Sequence, residues 1–210
     1  MISVTNAYKK LGQQCVLSHV NAQFKEGHIT GIVGRNGSGK TVLLKAILGL
    51  MPLDEGEIRV NGKMIGKDVE FMEDVGFIIN GPGFLPYDSG RRNLQYIASI
   101  QKTINLQKID ESMQRVGLNP KEPKHVGQYS MGMRQRLAIA QAIMESPSFL
   151  ILDEPMNGLD NDGVKEIRAL LKQLRSDGRT VLLSSHSKED IDLLCDTVYR
   201  MDRGNLTWER

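Results

Sequence analysis

Hydrophobic and polar positions follow two different periods in the first quarter of the chain. Val20, Ala22 and Phe24 alternate with polar neighbours, which is the two-residue period of a half-buried strand. Residues 29–33 form a short apolar run that predicts a second strand, and a glycine-rich stretch follows it. Beyond that stretch the apolar positions take the helical spacing, which predicts a helix closed by Pro52. The residues expected on its buried face are Val42, Leu43, Ala46, Ile47 and Leu50.

The rest of the pattern predicts an α/β fold with a helical insertion. Strands are expected at residues 57–60, 75–79, 149–152 and 180–183. Helices are expected at residues 91–100, 106–116 and 164–174, with a polar connection at residues 121–128. The tail predicts a hairpin over residues 198–208. Because a helical stretch from Gly81 to about Ile143 interrupts the strands, we interpret it as an inserted subdomain.

Composition narrows the class of protein without identifying it. The chain has 210 residues, and 27 basic against 25 acidic side chains give a formal net charge of +2. This length predicts one domain, and the near balance of charge argues against a nucleic-acid partner. No apolar run approaches the roughly 18 residues that cross a bilayer, and residues 1–10 lack the pattern of a signal peptide. Cys15 and Cys195 have neither metal-ligand spacing nor a disulfide framework, which suits a reducing cytosol.

The glycine-rich stretch matches the pattern Gly, four residues, Gly-Lys-Thr. Its glycines let successive N–H groups point inward around a polyphosphate, and the helix that follows directs its N-terminus at the same anion. We expect Lys40 to reach the β- and γ-phosphates and the Thr41 hydroxyl to bind Mg²⁺. A glycine turn that only caps a helix is the alternative, and the full motif between strand and helix disfavours it. The predicted phosphate-binding residues are Gly34, Arg35, Asn36, Gly37, Ser38, Gly39, Lys40 and Thr41.

Two carboxylates follow the buried strand at residues 149–152. Asp153 is expected to bind Mg²⁺ through water, and Glu154 to accept a proton from water that attacks the γ-phosphate. An acidic helix cap ahead of Pro155 is the alternative, and the phosphate loop upstream favours the functional interpretation.

A histidine follows the next predicted strand. At the carboxyl end of that strand, His186 could donate a hydrogen bond to the γ-phosphate. Taken in isolation, it is more typical of a surface histidine beside a helix that Ser187 caps.

The motif between the phosphate loop and the carboxylates carries a family resemblance. Residues 129–137 are Tyr-Ser-Met-Gly-Met-Arg-Gln-Arg-Leu, and Ser130 is expected to cap a helix. With the other motifs in order, the chain resembles the nucleotide-binding domain of ATP-binding cassette (ABC) transporters. The family signature Leu-Ser-Gly-Gly-Gln corresponds to residues 129–133, which keep Ser130 and Gly132. The family's D-loop corresponds to residues 157–160, which end at Asp160.

This resemblance implies a fold and an assembly. The fold would be a P-loop NTPase: a three-layer α/β core with a mixed parallel sheet and an antiparallel N-terminal β portion. Residues 1–210 would form a single ABC ATPase domain, with a RecA-like core from residues 1–80 and 144–210 and a helical subdomain over about residues 81–143. The chain would power a separately encoded transmembrane permease from the cytoplasmic face of the membrane. Two copies, or this chain and a paired cassette subunit, would dimerise head to tail around ATP.

The resemblance also implies residue roles. It assigns catalysis to Lys40, Glu154 and His186. It assigns Mg²⁺ to Thr41, Asn80 and Asp153. Ser130, Gly132 and Asp160 would contact the nucleotide held by the partner subunit.

The sequence departs from the family pattern at several positions. Asn80 stands where the family commonly has a longer Gln. Either Leu11 or Tyr8 would contact the adenine, and the sequence leaves these two alternatives open. Met131 and Met133 replace Gly and Gln of the signature, a form similar to the branch that exports antibiotics, bacteriocins and lantibiotics.

A nucleotide-gated switch or a DNA-associated ATPase is the second class of function considered. Cassette proteins of chromosomes and DNA repair carry long coiled coils, and this chain has no sustained heptads. Cassette proteins that act on ribosomes usually hold two such domains in one chain, whereas this sequence contains the motifs of one. A small GTPase is disfavoured because the guanine motif Asn-Lys-x-Asp is absent from the sequence.

Overall fold

The computed structural model describes residues 1–81 and 83–210, which form two β-sheets with helices packed against them. The expected insertion begins at residues 81–83, of which Pro82 lies outside the described residues. The strands are β1 (Ile2–Leu11), β2 (Gln14–Phe24), β3 (Ile29–Val33), β4 (Glu55–Val60), β5 (Lys63–Met64), β6 (Val75–Ile78), β7 (Phe149–Asp153), β8 (Thr180–Ser185), β9 (Thr197–Asp202) and β10 (Asn205–Trp208). The helices are α1 (Lys40–Leu48), α2 (Gly90–Gln101), α3 (Leu106–Arg115), α4 (Met131–Ile143), α5 (Asn161–Ser176) and α6 (Lys188–Leu194).

The N-terminal sheet is antiparallel and has the strand order β2-β1-β4-β5. The expected alternation is confirmed on β2, where Val20, Ala22 and Phe24 are buried. The antiparallel N-terminal portion predicted from the sequence is therefore present.

The second sheet positions the candidate site. Its order is β10-β9-β3-β8-β7-β6, and the predicted hairpin at the tail is its one antiparallel pair among the described strands. Val33 is level with Ser185, and Asp153 with Ser184, so β3, β8 and β7 end at the same edge. Ligands bind at this edge of parallel α/β sheets.

Alternate residues of β7 face two different cores, which makes the fold three-layered. Ile151 belongs to a core shared with the N-terminal sheet and α1. Leu150 and Leu152 belong to a second core, shared with α2 to α6. Since successive strand residues point to opposite faces, the parallel sheet is covered on both sides. The expected α/β class with a mixed sheet is confirmed.

The expected end of α1 and the expected burial of Leu50 were wrong. Helix α1 ends at Leu48, before Pro52, because Gly49 takes a left-handed φ of 85° and its N–H bonds back to Ala46. Leu50 therefore lies outside the helix and is 47% exposed. The connection expected at residues 121–128 lies between α3 and α4, and it contains a short 3₁₀ turn, Val126–Gln128, whose Val126 is buried in the core.

Candidate functional site

The loop between β3 and α1 has room only for glycine at two positions. A β-carbon on Gly34 would collide with the carbonyl oxygen of Met201 on β9. One on Gly39 would lie 2.5 Å from the carbonyl oxygen of Val16 on β2. Gly39 also has a φ of 114°, which residues with a β-carbon rarely adopt. The loop is therefore held against two neighbouring strands.

The helix after this loop begins with an open N-terminus. Gly39 occupies the cap position, and no side chain in the described part of the chain caps the helix. Its first N–H groups remain available for an anion, which the helix dipole also favours. Lys40 is only 6% exposed, and its Nζ donates to the carbonyl oxygens of Gly34 at 2.7 Å and Arg35 at 3.2 Å. The lysine charge is thereby folded back over the loop.

A pair of oxygen ligands lies between α1 and the end of β7. Thr41 Oγ1 donates a 2.6 Å hydrogen bond to Asp153 Oδ2. The other carboxylate oxygen of Asp153 accepts from Ser184 Oγ, at the end of β8. Hydroxyl and carboxylate oxygens are the ligands that Mg²⁺ prefers, so this pair fits the predicted metal site. Sequence reasoning gave Ser184 no role, although a polar residue near the end of an apolar strand was a usable signal.

Glu154 is fixed by backbone and side-chain contacts. Its φ of 51° lies in the left-handed region, and its N–H donates to Ser184 Oγ at 2.9 Å. Oε2 lies 2.8 Å from His186 Nδ1, which is the donor of this hydrogen bond. Oε1 lies 4.0 Å from Lys40 Nζ. The structure thus brings together Lys40, Glu154 and His186, the three predicted catalytic residues.

A cavity of about 410 Å³ opens in front of the loop. Asn36, Gly37, Ser38 and Gly39 line it together with Lys40, Thr41, Asp153 and Glu154. Two buried atoms of its lining residues, Ser38 Oγ and Glu154 Oε1, have no hydrogen-bond partner within residues 1–81 and 83–210. Buried polar atoms are normally paired, so this cavity is suited to a polar, anionic ligand with its cation.

The adenine contacts expected from Tyr8 or Leu11 find no support at this cavity. Its wall on the β1–β2 hairpin side consists of Gln14 and Val16, which sequence reasoning missed. Tyr8 instead stacks on His19, with ring centroids 5.1 Å apart, and Leu11 is 45% exposed. In the β1–β2 hairpin the register sets Gln14 opposite Leu11, so the residue that lines the cavity lies across the turn from one of the two that the sequence proposed.

Asn80 lies two residues beyond the end of β6 and is exposed. Its φ of 58° is one that Asn tolerates better than most residues. The register pairs Ile78 with Leu152, so the backbone of Asn80 extends past the same sheet edge as Asp153 and Glu154. Asn80 is not among the residues that line the cavity, and its contact with Mg²⁺ remains a prediction.

The remaining predicted residues lie together at a second cavity, of about 430 Å³. Ser130 caps α4, its Oγ accepting from Met133 N at 3.1 Å, and Asp160 caps α5, accepting from Gly163 N at 2.8 Å. Gly132 lies between these caps, and a β-carbon there would be 3.0 Å from the carbonyl oxygen of Gly158. The full lining is Ser130, Met131, Gly132, Met133, Arg136, Gly158, Leu159 and Asp160. The two cavities have no lining residue in common, so the predicted nucleotide contacts divide into two half-sites.

Comparisons with known proteins show the family of the chain. The family described as ABC transporter matches residues 17–157. An uncharacterized ABC transporter ATP-binding protein, YybJ of Bacillus subtilis (strain 168), is 42% identical over 206 residues, which are 98% of this chain and 94% of that protein. The bacitracin transport ATP-binding protein BcrA of Bacillus licheniformis is 39% identical, over 100% of this chain and 69% of the relative. The lantibiotic transport ATP-binding protein SrtF of Streptococcus pyogenes is 30% identical, over 100% and 90%.

Solved structures match the whole chain. One is described as the dimeric structure of MJ0796, a bacterial ABC transporter cassette. It superposes with a TM-score of 0.89 at 26% identity, covering 100% of this chain and 98% of that one. Within the described residues, no helix has both the length and the apolar character needed to cross a bilayer.

Proposed function

The chain belongs to the ABC transporter family as an ATP-binding ATPase subunit, and we propose that it drives a separately encoded permease from the cytoplasmic face of the membrane. The observation that carries this proposal is the convergence of Lys40, Thr41, Asp153 and Glu154 on one cavity in front of an open helix N-terminus. A site with a buried cation, an oxygen pair and a free carboxylate oxygen suits phosphoryl transfer from ATP to water.

Each charged group of this cavity has a separate task in the proposed reaction. Lys40 and the first N–H groups of α1 bind the β- and γ-phosphates and stabilise the charge that develops on them. Glu154 Oε1 accepts the proton of the attacking water, since its partner oxygen is occupied by His186. His186 holds that carboxylate in place and presents its other ring nitrogen towards the γ-phosphate. Thr41 and Asp153, with Asn80 from the end of β6, would hold Mg²⁺, which when bound neutralises phosphate charge.

The second cavity is assigned to the nucleotide of another subunit. Ser130 and Gly132 form a helix N-terminus, which attracts an anion, but they line a cavity separate from their own phosphate loop. A head-to-tail dimer, made of two copies or of this chain and a paired cassette, would join each loop to the partner's Ser130, Gly132 and Asp160. The similar cassette MJ0796 is described as dimeric. Residues 1–80 and 144–210 would form the RecA-like core and about 81–143 the helical subdomain that carries this second half-site.

We assign the direction of transport as export. Relatives are named for bacitracin transport and lantibiotic transport, and residues 129–136 resemble that branch of the family. An antibiotic or bacteriocin-type compound is therefore the proposed class of cargo.

Lysine substitution tests the nucleotide site directly. Lys40→Ala removes the buried charge, and we expect ATP affinity to fall about 30-fold or more in equilibrium dialysis. Lys45→Ala is the matched control, because Lys45 lies on the same helix in its last turn and outside the cavity lining. Equal affinities of the two variants would contradict the phosphate-loop assignment.

The permease is tested by co-expression with the adjacent reading frames. A neighbouring gene with several hydrophobic spans should retain the chain in the membrane fraction, and ATPase activity should rise in the complex. A chain that stays out of the membrane fraction with every such neighbour would contradict the transport proposal.

A further inference from the structure

Arg136 joins three helices through one guanidinium group. It lies on α4, and its side chain is 16% exposed. Nη1 donates to the carbonyl oxygen of Val116, which is the C-cap residue of α3. The same nitrogen lies 2.7 Å from Glu166 Oε2 on α5. The guanidinium therefore spans the space between α3, α4 and α5.

Two glycines leave room for this group. A β-carbon on Gly117 would lie 2.5 Å from Arg136 Nη1, and one on Gly163 would lie 2.9 Å from Nη2. Gly163 is in the first turn of α5, and its φ is not among the positive ones, so its backbone conformation does not require glycine. A glycine without a conformational reason indicates a packing reason, which here is the space taken by Arg136 and the Asp160 cap.

The position of Arg136 links the two elements that face the second cavity. It lines that cavity with Ser130 and Gly132 at the start of its own helix and with Asp160 at the start of α5. Arg136 lies on α4 and pairs with Glu166 on α5, so it connects the two helices whose first residues line this cavity.

We propose that Arg136 is a positioning residue that holds Ser130, Gly132 and Asp160 in one fixed arrangement, ready to receive the partner subunit's nucleotide. This inference rests on the proposed function, since it takes the second cavity as the half-site that the partner's ATP completes. Without the guanidinium, α4 and α5 meet the incoming nucleotide in many relative positions, and closing the dimer must then order them.

A purely structural role would have a different signature. Removing one partner of a buried charged hydrogen bond destabilises a protein wherever the bond lies. Arg91 provides the comparison, because its Nε and Nη2 bond Asp110 at 2.6 and 3.0 Å and so bridge α2 and α3. Arg91 lines neither cavity. Substituting either arginine should lower the stability of the protein, whereas only the substitution of Arg136 should weaken the closed dimer.

The test uses the 210-residue chain carrying Glu154→Gln, which we expect to bind ATP without turnover. Sedimentation equilibrium measures the dimer dissociation constant with ATP, and equilibrium dialysis measures ATP affinity at protein concentrations where the chain is monomeric. Arg136→Met should raise the dimer dissociation constant about tenfold or more, with ATP affinity within about twofold of the parent. Glu166 is 60% exposed, so Glu166→Gln should keep the fold. This variant should raise the dimer dissociation constant about threefold. Arg91→Met should change neither quantity.

The outcomes separate this inference from the proposed function. If Arg136→Met dimerises as tightly as its parent, or if Arg91→Met weakens the dimer equally, the positioning role is wrong and the proposed function stands. If the Glu154→Gln parent itself never dimerises with ATP, the proposed function is wrong and the role of Arg136 with it.

Discussion

Thr41 Oγ1 and Asp153 Oδ2 are 2.6 Å apart, although 112 positions separate these residues in the sequence. The hydrogen bond joins the first turn of α1 to the end of β7 and sets two oxygen ligands side by side. Ser184 bonds the other oxygen of Asp153, so the carboxylate cannot rotate freely. An oriented ligand pair of this kind binds a metal with a smaller loss of side-chain entropy.

Substituting Thr41 tests the metal site. Thr41→Val keeps the volume and removes the hydroxyl, so we expect the Mg²⁺ concentration for half-maximal ATPase activity to rise about tenfold or more. Thr41→Ser keeps the hydroxyl and is the control, with a Mg²⁺ requirement close to that of the wild type. A valine variant that needs no more Mg²⁺ than the serine variant would remove Thr41 from the metal site.

Substituting His186 should lower ATPase activity without lowering the stability of the protein. Its side chain is 64% exposed, so His186→Ala should change the melting temperature by no more than about 2 °C. Because the imidazole holds Glu154, ATP hydrolysis should fall about 100-fold while ATP affinity changes little. His125→Ala, at another exposed histidine, should leave both unchanged. Near-normal turnover in His186→Ala would show that Glu154 needs no such partner.

Cys195 should make the stability of the protein depend on alkaline pH. Burial raises the pKa of its thiol from 9.0 to about 12. The unfolded chain therefore loses this proton above pH 9.0 while the folded chain keeps it. The contribution of this thiol to the free energy of unfolding is therefore full below pH 9.0. It falls by up to about 1.4 kcal/mol per pH unit as the pH rises above that value.

Urea unfolding at several alkaline pH values measures this effect. The slope of unfolding free energy against pH should be less negative in Cys195→Ala than in the wild type. Cys15→Ala is the control and should keep the wild-type slope. Parallel slopes in wild type and Cys195→Ala would mean that this thiol is accessible to solvent in the folded protein.

Local motifs made much of the site predictable. Residues 34–41 are contiguous, and a strand before them with a helix after them fixes their geometry, so the loop could be assigned from spacing alone. Asp153 and His186 were found because each follows an apolar run that ends at the same sheet edge. The order of the strands within the sheet was not needed for either inference.

Contacts between residues that are far apart in the sequence could not be predicted from it. The bond from Ser184 to Asp153 and the approach of Val16 to Gly39 depend on how β7, β8 and β2 meet in three dimensions. The end of α1 was misplaced for a different reason. Gly49 ends the helix because its backbone is left-handed, and it lies three residues before Pro52, where the sequence predicted the end.

Glu154→Gln tests the central claim most directly. Glutamine keeps the size of the side chain and cannot accept the proton, so single-turnover hydrolysis of bound ATP should fall about 100-fold or more. The variant should bind ATP as tightly as the wild type and form a dimer whose amount rises with protein concentration, with unhydrolysed ATP retained in it. Glu73→Gln, at an exposed carboxylate paired with Lys63, should hydrolyse ATP at the wild-type rate. Hydrolysis by Glu154→Gln as fast as by the wild type would contradict the assignment of Glu154 as the base.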